Sequence, residues 1–428
     1  LLSRRQRQMC IRDRYKAVIG MEIISGGVTA PIGFLAAGMH AGVRKNKKKK
    51  DMALLVSKCP AKTAGVFTQN VVKAAPVMWD KALCDDIGLC QALVVNSGVA
   101  NACTGEAGDV DVAHMAELVA AELQVPVDQV AVASTGVIGI RLPMETIAHG
   151  ICELSGMLSD DLESGSHAAE AIMTTDVYKK EIAVKLQIKG KTITVGGMCK
   201  GSGMINPNLG TVLGFLTTDL NISQELLQKT LRNDVIDTYN MLSVDGDTST
   251  NDTVMIFANG MAGNDELLET DADYPAFAEA LRYINTYFVK LIAADGEGTT
   301  RMFQVQVAGA ESKEGARKLA KSVVTSNLVK CAVYGSDANW GRLVCAMGQS
   351  GIAFDPYKVD IIISSEAGSL KIVENGVCTD YDEERATEIL SPDQVCFHAD
   401  MHAGTETASA WGCDLTYEYI KINAEYRK

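Results

Sequence analysis

The 428-residue sequence lacks any uninterrupted run of 18 or more apolar residues, the length that a helix needs to cross a membrane. Its first 20 residues also lack the apolar core followed by small residues that marks a secretion signal. We therefore expect a soluble, unexported protein of the cytoplasm. Residues 1–20 begin with a basic stretch without apolar periodicity, and we interpret them as a tail or a sequence artefact.

An excess of positive charge is also lacking. The chain has 53 acidic against 40 basic side chains, a formal net charge of −13, and this field repels nucleic-acid backbones and anionic membranes. The run 44–50 (RKNKKKK) is the basic exception. Because it contains no aromatic residue for base stacking, a solvated loop is favoured over a phosphate-binding patch.

Several motifs of common enzyme classes are missing. There is no GxSxG elbow, no SxxK or HExxH motif, and no nucleotide loop of the GxxxxGK[ST] or GxGxxG type. Only His398 and His402 have i, i+4 spacing, and strand-like residues precede them, so we predict no metal site. The twelve cysteines include no CxxC pair, and their dispersal predicts buried thiols rather than disulfides.

The sequence contains 47% hydrophobic residues, which is enough to build a core. Its length is typical of two or three domains or of one large unit. Alternation over 181–188, a turn at 189–191 and a second strand at 192–195 predict a hairpin. Helical spacing is clearest at Val112, Met115, Val119 and Leu123, and again at Phe277, Leu281, Ile284, Phe288 and Leu291 after a predicted cap at Asp273. A strand at 303–307, a helix at 314–324 and a buried strand at 361–363 complete a mixed α/β or α+β pattern.

Three loops rich in glycine and hydroxyl side chains are the candidate chemical segments: 96–105, 134–139 and 200–219. Glycines in such loops let backbone N–H groups approach a ligand or a developing negative charge. The loop at 245–252 has carboxylates as in a cation site, but lacks the EF-hand spacing and is interpreted as a turn network.

Thr211 follows the sterically open Gly210 in the third of these loops. A threonine whose α-amine is freed by chain cleavage can act as a nucleophile, since that amine can accept the proton of its own hydroxyl. From the residues alone, however, a strand threonine after a turn is the favoured interpretation.

A resemblance to a known family favours the nucleophile over the strand threonine as the interpretation of Thr211. The segments that carry it are GVTAP (27–31), AGVFTQNVVKAAPV (64–77), NACTG (101–105), STGVIG (134–139), IMTTD (172–176), KGSGMINPN (200–208), SVDGDTSTND (243–252), ADGEGTT (294–300), SDANWGR (336–342) and AWGCDLTYEYIKINAEYRK (410–428). In their order they closely resemble the ornithine acetyltransferases, also called glutamate N-acetyltransferases, of arginine biosynthesis. The similarity runs from about Met21 to the last residue.

The resemblance implies layered sheets with flanking helices, as in autoproteolytic aminopeptidases, and a precursor that cuts itself into an α chain (21–210) and a β chain (211–428). By motif, Thr211 is the nucleophile, Gly210–Thr211 is the cleaved bond, and Thr135 and Gly136 stabilise the oxyanion. Thr174, Lys200, Glu297 and Asn423 match substrate-contacting positions. The implied reaction moves acetyl from N2-acetylornithine to glutamate without a cofactor, in a heterotetramer of two α and two β chains.

Three positions differ from the usual family pattern: Gly210 stands in place of Ala, Val99 in place of Asn, and Lys428 in place of Thr or Ser. The sequence leaves open whether acetyl-CoA is a second acetyl donor. It also leaves two alternatives to the transferase: an autoproteolytic amidase or aminopeptidase, in which water takes the acyl group, and an uncleaved binding homologue without turnover.

Overall fold

The computed structural model of the chain describes residues 20–206 and 212–425. It divides into two compact units. Unit 1 consists of the described residues of Leu1–Gly201, Asn208–Val235 and Ser249–Phe288. Unit 2 consists of those of Ser202–Pro207, Ile236–Thr248 and Val289–Lys428. Each unit therefore includes residues from both sides of position 210.

The strands in chain order are β1 Glu22–Ile24, β2 Phe34–Met39, β3 Met52–Phe67, β4 Leu89–Val99, β5 Val130–Val137, β6 Lys180–Ile188, β7 Lys191–Lys200, β8 Leu213–Thr218, β9 Leu242–Ser243, β10 Thr253–Ala258, β11 Met302–Ala310, β12 Asp360–Ser365, β13 Gly368–Glu374, β14 Val377–Cys378, β15 Gln394–Asp400 and β16 Glu406–Cys413.

The α-helices are α1 Ala75–Ala82, α2 Glu106–Leu123, α3 Met144–Gly156, α4 Leu162–Ala171, α5 Gln224–Asp237, α6 Tyr274–Ala294, α7 Lys313–Thr325, α8 Asn327–Tyr334, α9 Trp340–Gly348, α10 Glu383–Leu390 and α11 Tyr417–Ala424. Helices and strands thus mix throughout the described chain, which confirms the predicted fold class. None of the helices found there is both long enough and apolar enough to span a bilayer.

The sheet of unit 1 has the strand order β1-β6-β7-β8-β10-β3-β4-β5, and β2 pairs with β3 beside this path. Its pairs are antiparallel except β8 with β10 and β4 with β5, which are parallel. The strand β8 lies between β7 and β10, and all six of its residues are buried. The residues just after the predicted cleavage bond therefore enter the interior of a sheet.

Both faces of β3, β4 and β5 are covered by apolar residues, because successive side chains of a strand point to opposite faces. Met52, Leu54, Val94 and Val132 pack with apolar residues of α2 and α3 on one face. Leu55, Leu93, Val95 and Ala133 pack on the other face with Phe215, Met255 and the alanines of α4. Such double burial agrees with the continuous apolar composition of these strands.

The predicted hairpin is confirmed as β6 and β7, in which Ile188 pairs with Lys191. Its turn has two residues, Lys189 with φ 49° and Gly190 with φ 71°. Positive φ at both positions matches the right-handed twist of a hairpin and favours glycine. The Lys189 N–H donates to the carboxylate of Asp273 at 2.7 Å, which ties the turn to the start of α6.

The other sequence-predicted elements are also found. In α6, the carbonyl of Asp273 accepts the first helical N–H groups, and Phe277, Leu281, Ile284 and Phe288 are fully buried. In α2, the predicted apolar stripe faces the sheet. The strand at 303–307, the helix at 314–324 and the strand at 361–363 lie within β11, α7 and β12.

The sheet of unit 2 has the order β14-β13-β12-β15-β11-β16-β9. His398 lies on β15, where its Nε2 is 2.7 Å from Ser364 Oγ of β12, whereas His402 follows that strand. The two histidines therefore do not share a helix. Among residues 20–206 and 212–425, no group of three His, Cys, Asp or Glu is arranged to hold a metal ion.

The prediction of buried thiols is wrong for several cysteines. All eleven cysteines in the described ranges are free thiols, but only Cys84, Cys90, Cys199 and Cys413 are buried. Five are exposed: Cys103, Cys152, Cys331, Cys345 and Cys378. Dispersal along the sequence excludes a close pair but carries no information about which face of an element a residue occupies.

We predict that Gly190→Ala lowers the free energy of unfolding by about 1 kcal/mol, because alanine must adopt a left-handed conformation in the turn. No atom lies within 4 Å of a methyl group added there, so the effect isolates the backbone. Gly156→Ala at the end of α3 is the matched control, since its added methyl also meets open space without positive φ. That variant should be neutral or more stable. Equal denaturation midpoints for the two variants would contradict the prediction.

Candidate active site

Thr135 and Gly136 lie near the end of β5, opposite the end of β4 that contains Gly98. The backbone of Gly136 has φ 134°, and a Cβ placed there would lie 2.2 Å from the carbonyl carbon of Gly98. Only glycine allows this close approach of the two strands. The register shifts between Gly98 and Val99, so the β4 end bends where the two predicted oxyanion residues lie.

Two asparagine side chains hold this backbone by hydrogen bonds to its carbonyl groups. The Nδ2 group of Asn251 donates to the carbonyls of Ala100 at 2.6 Å and Ser134 at 2.8 Å. The Nδ2 group of Asn96 donates to the Val99 carbonyl at 2.9 Å. Although Val99 has no polar side chain, Asn96 and Asn251 thus supply hydrogen bonds to the backbone at residues 99 and 100.

Lys200, the last residue of β7, is buried and its Nζ is 3.4 Å from Thr135 Oγ1, to which it donates. Burial lowers the pKa of this lysine, and the negative charges of Asp176 and Asp252 partly oppose that effect. A buried cation next to a hydroxyl group can stabilise negative charge on a substrate or on a developing oxyanion.

Asp176 is the carboxylate that pairs with the buried lysines. Its Oδ1 accepts from Lys180 Nζ and from the Gly201 N–H, each at 2.7 Å, and its Oδ2 accepts from the Thr174 N–H at 2.9 Å. Burial alone would raise the pKa of Asp176, but the charges of Lys180 and Lys200 and these hydrogen bonds hold it well below the usual range. Asp176 is therefore ionised at neutral pH.

Asp252 precedes β10 and has the opposite electrostatic character. Burial raises its pKa well above the usual value, and the nearby charge of Lys200 only partly offsets this. Its Oδ2 has no hydrogen-bond partner within the described ranges. Around Lys200 the unit therefore places two carboxylates whose pKa values are shifted in opposite directions, that of Asp176 downward and that of Asp252 upward.

Thr174 forms hydrogen bonds with both the buried Asp176 and the exposed Lys49. It is half-buried, its N–H donates to Asp176, and its carbonyl accepts from Lys49 Nζ at 3.2 Å. The predicted residues Thr135, Gly136, Thr174 and Lys200 all belong to unit 1, and the structure links Lys200 to Thr135 directly and to Thr174 through Asp176.

In unit 2, the structure brings together the other two predicted substrate residues. Glu297 follows α6 and is buried, and its Oε2 accepts from Asn423 Nδ2 at 2.7 Å. Its N–H donates to the Ser202 carbonyl at 3.0 Å. Asn423 is exposed on α11, whose first turn is capped by the hydroxyl of Thr416. Asn423 thus orients a carboxylate that can bind a cationic amine.

The loop at 245–252 forms the turn network predicted from the sequence. Within unit 2, the carboxylate of Asp245 accepts from the N–H groups of Met204 and Ile205 at 2.6 and 2.9 Å, and from that of Asp247 at 3.1 Å. Burial raises the pKa of Asp245. These bonds hold the chain directly before residue 207.

The predicted cleavage residues Gly210 and Thr211 lie outside the described residues, as does Lys428. The chain is described again from Val212, which is buried and whose carbonyl accepts from the Thr253 N–H at 2.8 Å. The predicted apolar run that follows Thr211 forms β8.

The sequence motifs assigned no role to Asp176 or Lys180, and they placed Asp252 only in the turn network at 245–252. One sequence pattern could have identified the first two, because Asp176 and Lys180 are four residues apart and follow Thr174 in the conspicuous TTD segment. Nothing local indicates that Asp252 lies near Lys200, since 52 positions separate them in the sequence.

Comparison with known proteins gives consistent results. Residues 35–428 match the model of the ArgJ family. The arginine biosynthesis bifunctional protein ArgJ of Symbiobacterium thermophilum is 50% identical over 408 residues, which cover 95% of this chain and 100% of the relative. The protein of the same name from Thermotoga neapolitana is 49% identical over 93% of this chain and 99% of its own. The solved structure of ornithine acetyltransferase complexed with ornithine from Mycobacterium tuberculosis is 43% identical and covers 44% of this chain and 99% of that chain, with a TM-score of 0.42.

We predict that Asp176→Asn destabilises the protein by about 3–5 kcal/mol at pH 7, because it leaves two buried lysines without their carboxylate. The pKa of Asp176 is lower in the folded state, so its contribution is complete above about pH 4, the ordinary pKa of aspartate, and is lost as the pH falls through the folded value. The difference between the two proteins should therefore shrink below about pH 4. Denaturation midpoints at several pH values measure this.

The matched control is Asp160→Asn, which removes an exposed ion pair with Lys58 of 3.2 Å and should change stability little at either pH. An Asp176→Asn variant that loses no more stability than this control would contradict the assigned role of Asp176.

Proposed function

The chain belongs to the ArgJ family, and from this membership we propose that it transfers the acetyl group of N2-acetylornithine to glutamate, releasing ornithine and N-acetylglutamate. Membership confirms the resemblance that the sequence motifs indicated, and the chain is an acyltransferase of arginine biosynthesis. The observation that most supports the reaction is the buried Lys200 ammonium group against Thr135, beside the close-packed Gly136.

The first proposed step is self-cleavage. The hydroxyl oxygen of Thr211 attacks the carbonyl carbon of Gly210, the peptide C–N bond breaks, and the nitrogen takes a proton to become the α-amine of Thr211. Water then hydrolyses the resulting ester, which leaves a carboxylate on Gly210 and restores the hydroxyl. The products are an α chain that ends at residue 210 and a β chain that begins at residue 211.

The proposed transfer has two half-reactions. The α-amine of Thr211 accepts the hydroxyl proton while Oγ attacks the acetyl carbonyl, and ornithine leaves with its amine protonated. The amine of glutamate then attacks the acetyl ester and regenerates Thr211. Thr135 and Gly136 would stabilise the oxyanion in both half-reactions, where Lys200 adds a nearby positive charge.

Four residues are proposed to bind the amino-acid substrates. Lys200 is suited to a carboxylate and Glu297 to an amine, because each offers a charge-assisted hydrogen bond to an oppositely charged group. Asn423 fixes the orientation of Glu297. Thr174 would offer its hydroxyl or backbone from a position held by Asp176.

The remaining features of the proposal follow from the family and from the composition. We propose a heterotetramer of two α and two β chains in the cytoplasm. The transfer needs no cofactor, because the acetyl group stays covalently attached to Thr211 between the two half-reactions. Acetyl-CoA is proposed as a second acetyl donor, consistent with relatives named as bifunctional.

We predict that glutamate gains acetyl in equal amount to the ornithine released from N2-acetylornithine, because the acyl enzyme is discharged by an amine. Initial rates with both substrates varied should give parallel lines. Free acetate as the main product would instead favour the amidase or aminopeptidase, and intersecting lines would contradict the two-step mechanism.

We further predict that intact-mass spectrometry finds fragments that end at Gly210 and begin at Thr211. Thr211→Ala should give a single uncut chain without transfer, because both the attacking hydroxyl and the later nucleophile are lost. Thr211→Ser is the matched control and should retain cleavage and part of the activity. Native protein that stays whole yet transfers acetyl would overturn the proposed nucleophile, and an uncut chain without turnover would support a binding homologue.

A further inference from the structure

A cavity of about 490 Å³ lies in unit 1 between the loop that joins β2 to β3 and the end of α4. Arg44 and the four residues Lys47–Lys50 line one side of this lysine cavity, and Met39 and Met173 line it with apolar side chains. Its volume is within the range of small-molecule sites. The sequence run interpreted above as a solvated loop therefore forms the wall of a cavity.

The backbone that carries these cations is held in place by one buried carboxylate. Asp51 is fully buried, and its side chain accepts from the N–H groups of Ala41 at 2.6 Å, Gly42 at 3.2 Å and Arg44 at 2.9 Å. The Lys49 N–H also donates to the Asn46 carbonyl at 3.1 Å within the loop. The lysines thus extend from a fixed turn.

Positive charge in the lysine cavity exceeds what neighbouring carboxylates neutralise. Lys50 pairs with Glu170 at 2.5 Å, the one carboxylate that lines the cavity. Arg44 and Lys49 donate to the backbone carbonyls of residues 173 and 174, and a carbonyl acceptor orients Lys49 without neutralising its charge. Lys47 and Lys48 are exposed, and neither forms an ion pair with a described residue. Such a cluster gives a local positive potential, which attracts anions, in a chain of net charge −13.

The lysine cavity also adjoins a residue of the proposed site. Lys49 donates to the carbonyl of Thr174, whose N–H is held by Asp176. An anion bound by the lysines would therefore lie next to the segment proposed to contact substrate. The methionines offer a polarisable apolar surface, which suits a ligand with both phosphates and an uncharged arm or ring.

We propose that the lysine cavity binds the phosphate groups of coenzyme A when acetyl-CoA is the acetyl donor. This inference rests on the proposed function, in which acetyl-CoA is the second donor. Coenzyme A carries a diphosphate and a 3′-phosphate, which matches an excess of several cations better than a single amino-acid carboxylate does. Acetylornithine, the other donor, does not need the cavity.

Titration calorimetry with coenzyme A tests the site directly. Lys47→Gln and Lys48→Gln should each raise the Kd about fivefold, because each removes one charge-assisted contact to phosphate. Lys45→Gln is the matched control: it removes the same charge from the same loop, but Lys45 is exposed and does not line the cavity. The binding of the native protein should also weaken with added salt.

Three further ligands identify which part of coenzyme A is bound. Dephospho-coenzyme A, which lacks the 3′-phosphate, should bind more weakly than coenzyme A, and ADP more weakly again. Inorganic phosphate binding as tightly as coenzyme A would overturn the assignment to this ligand. The assignment would also be overturned if native protein failed to bind coenzyme A, or if Lys45→Gln had the same effect as the cavity variants.

The acetylornithine reaction separates this inference from the proposed function. Lys47→Gln and Lys48→Gln should leave acetyl transfer from acetylornithine to glutamate unchanged while they raise the KM for acetyl-CoA. Failure of the native protein to use acetylornithine would argue against the proposed function. Normal use of acetylornithine by native protein that does not bind coenzyme A would overturn the cavity assignment alone.

Discussion

Two lysine ammonium groups, those of Lys180 and Lys200, lie away from water in unit 1, and the carboxylate of Asp176 compensates their charge. A buried ammonium group is costly unless an opposite charge and hydrogen bonds replace its water. The same carboxylate holds the backbone N–H groups of Thr174 and Gly201. One side chain therefore fixes the start of β6, the end of β7 and the loop after α4, which are the three segments that position Lys200 and Thr174.

The charge state of Asp252 affects Lys200, as do the contacts that Lys200 makes, because both Asp252 and Asp176 lie near this lysine. A second ionised carboxylate would surround Lys200 with more negative charge and weaken its attraction for a substrate carboxylate or an oxyanion. Burial raises the pKa of Asp252 and so opposes its ionisation, whereas the pKa of Asp176 is lowered. The electrostatic environment of Lys200 next to Thr135 is thus a property of the whole buried group rather than of the lysine alone.

Local patterns in the sequence were sufficient for the hairpin β6–β7 and for α2 and α6, because two-residue alternation and helical spacing depend only on near neighbours. The family motifs likewise selected Thr135, Lys200, Glu297 and Asn423, of which the structure links two pairs. The roles of Asp176, Lys180 and Asp252 were missed, as were the parallel pairing of β8 with β10 and the cavity formed by Lys47–Lys50. The pairing of β8 with β10 and the proximity of Asp176 and Asp252 to Lys200 depend on segments far apart in sequence that only the folded sheet brings together. The pair of Asp176 with Lys180 is local, but the sequence does not show that it is buried. The lysine run is also local, but the cavity needs Glu170 and Met173 from a distant segment.

The position of β8 and β10 has a mechanical consequence for a chain cut after residue 210. These two strands, from the C-terminal part, lie between β7 and β3 of the N-terminal part, joined to them by the antiparallel pairs β7–β8 and β10–β3. The two fragments would therefore share a single continuous hydrogen-bonded sheet. To separate, the fragments would have to break the hydrogen bonds of both pairs, β7–β8 and β10–β3, and expose the apolar faces of the sheet to water. Cleavage would then create a new chain end while the two fragments stay joined, because strands of both fragments alternate within one sheet.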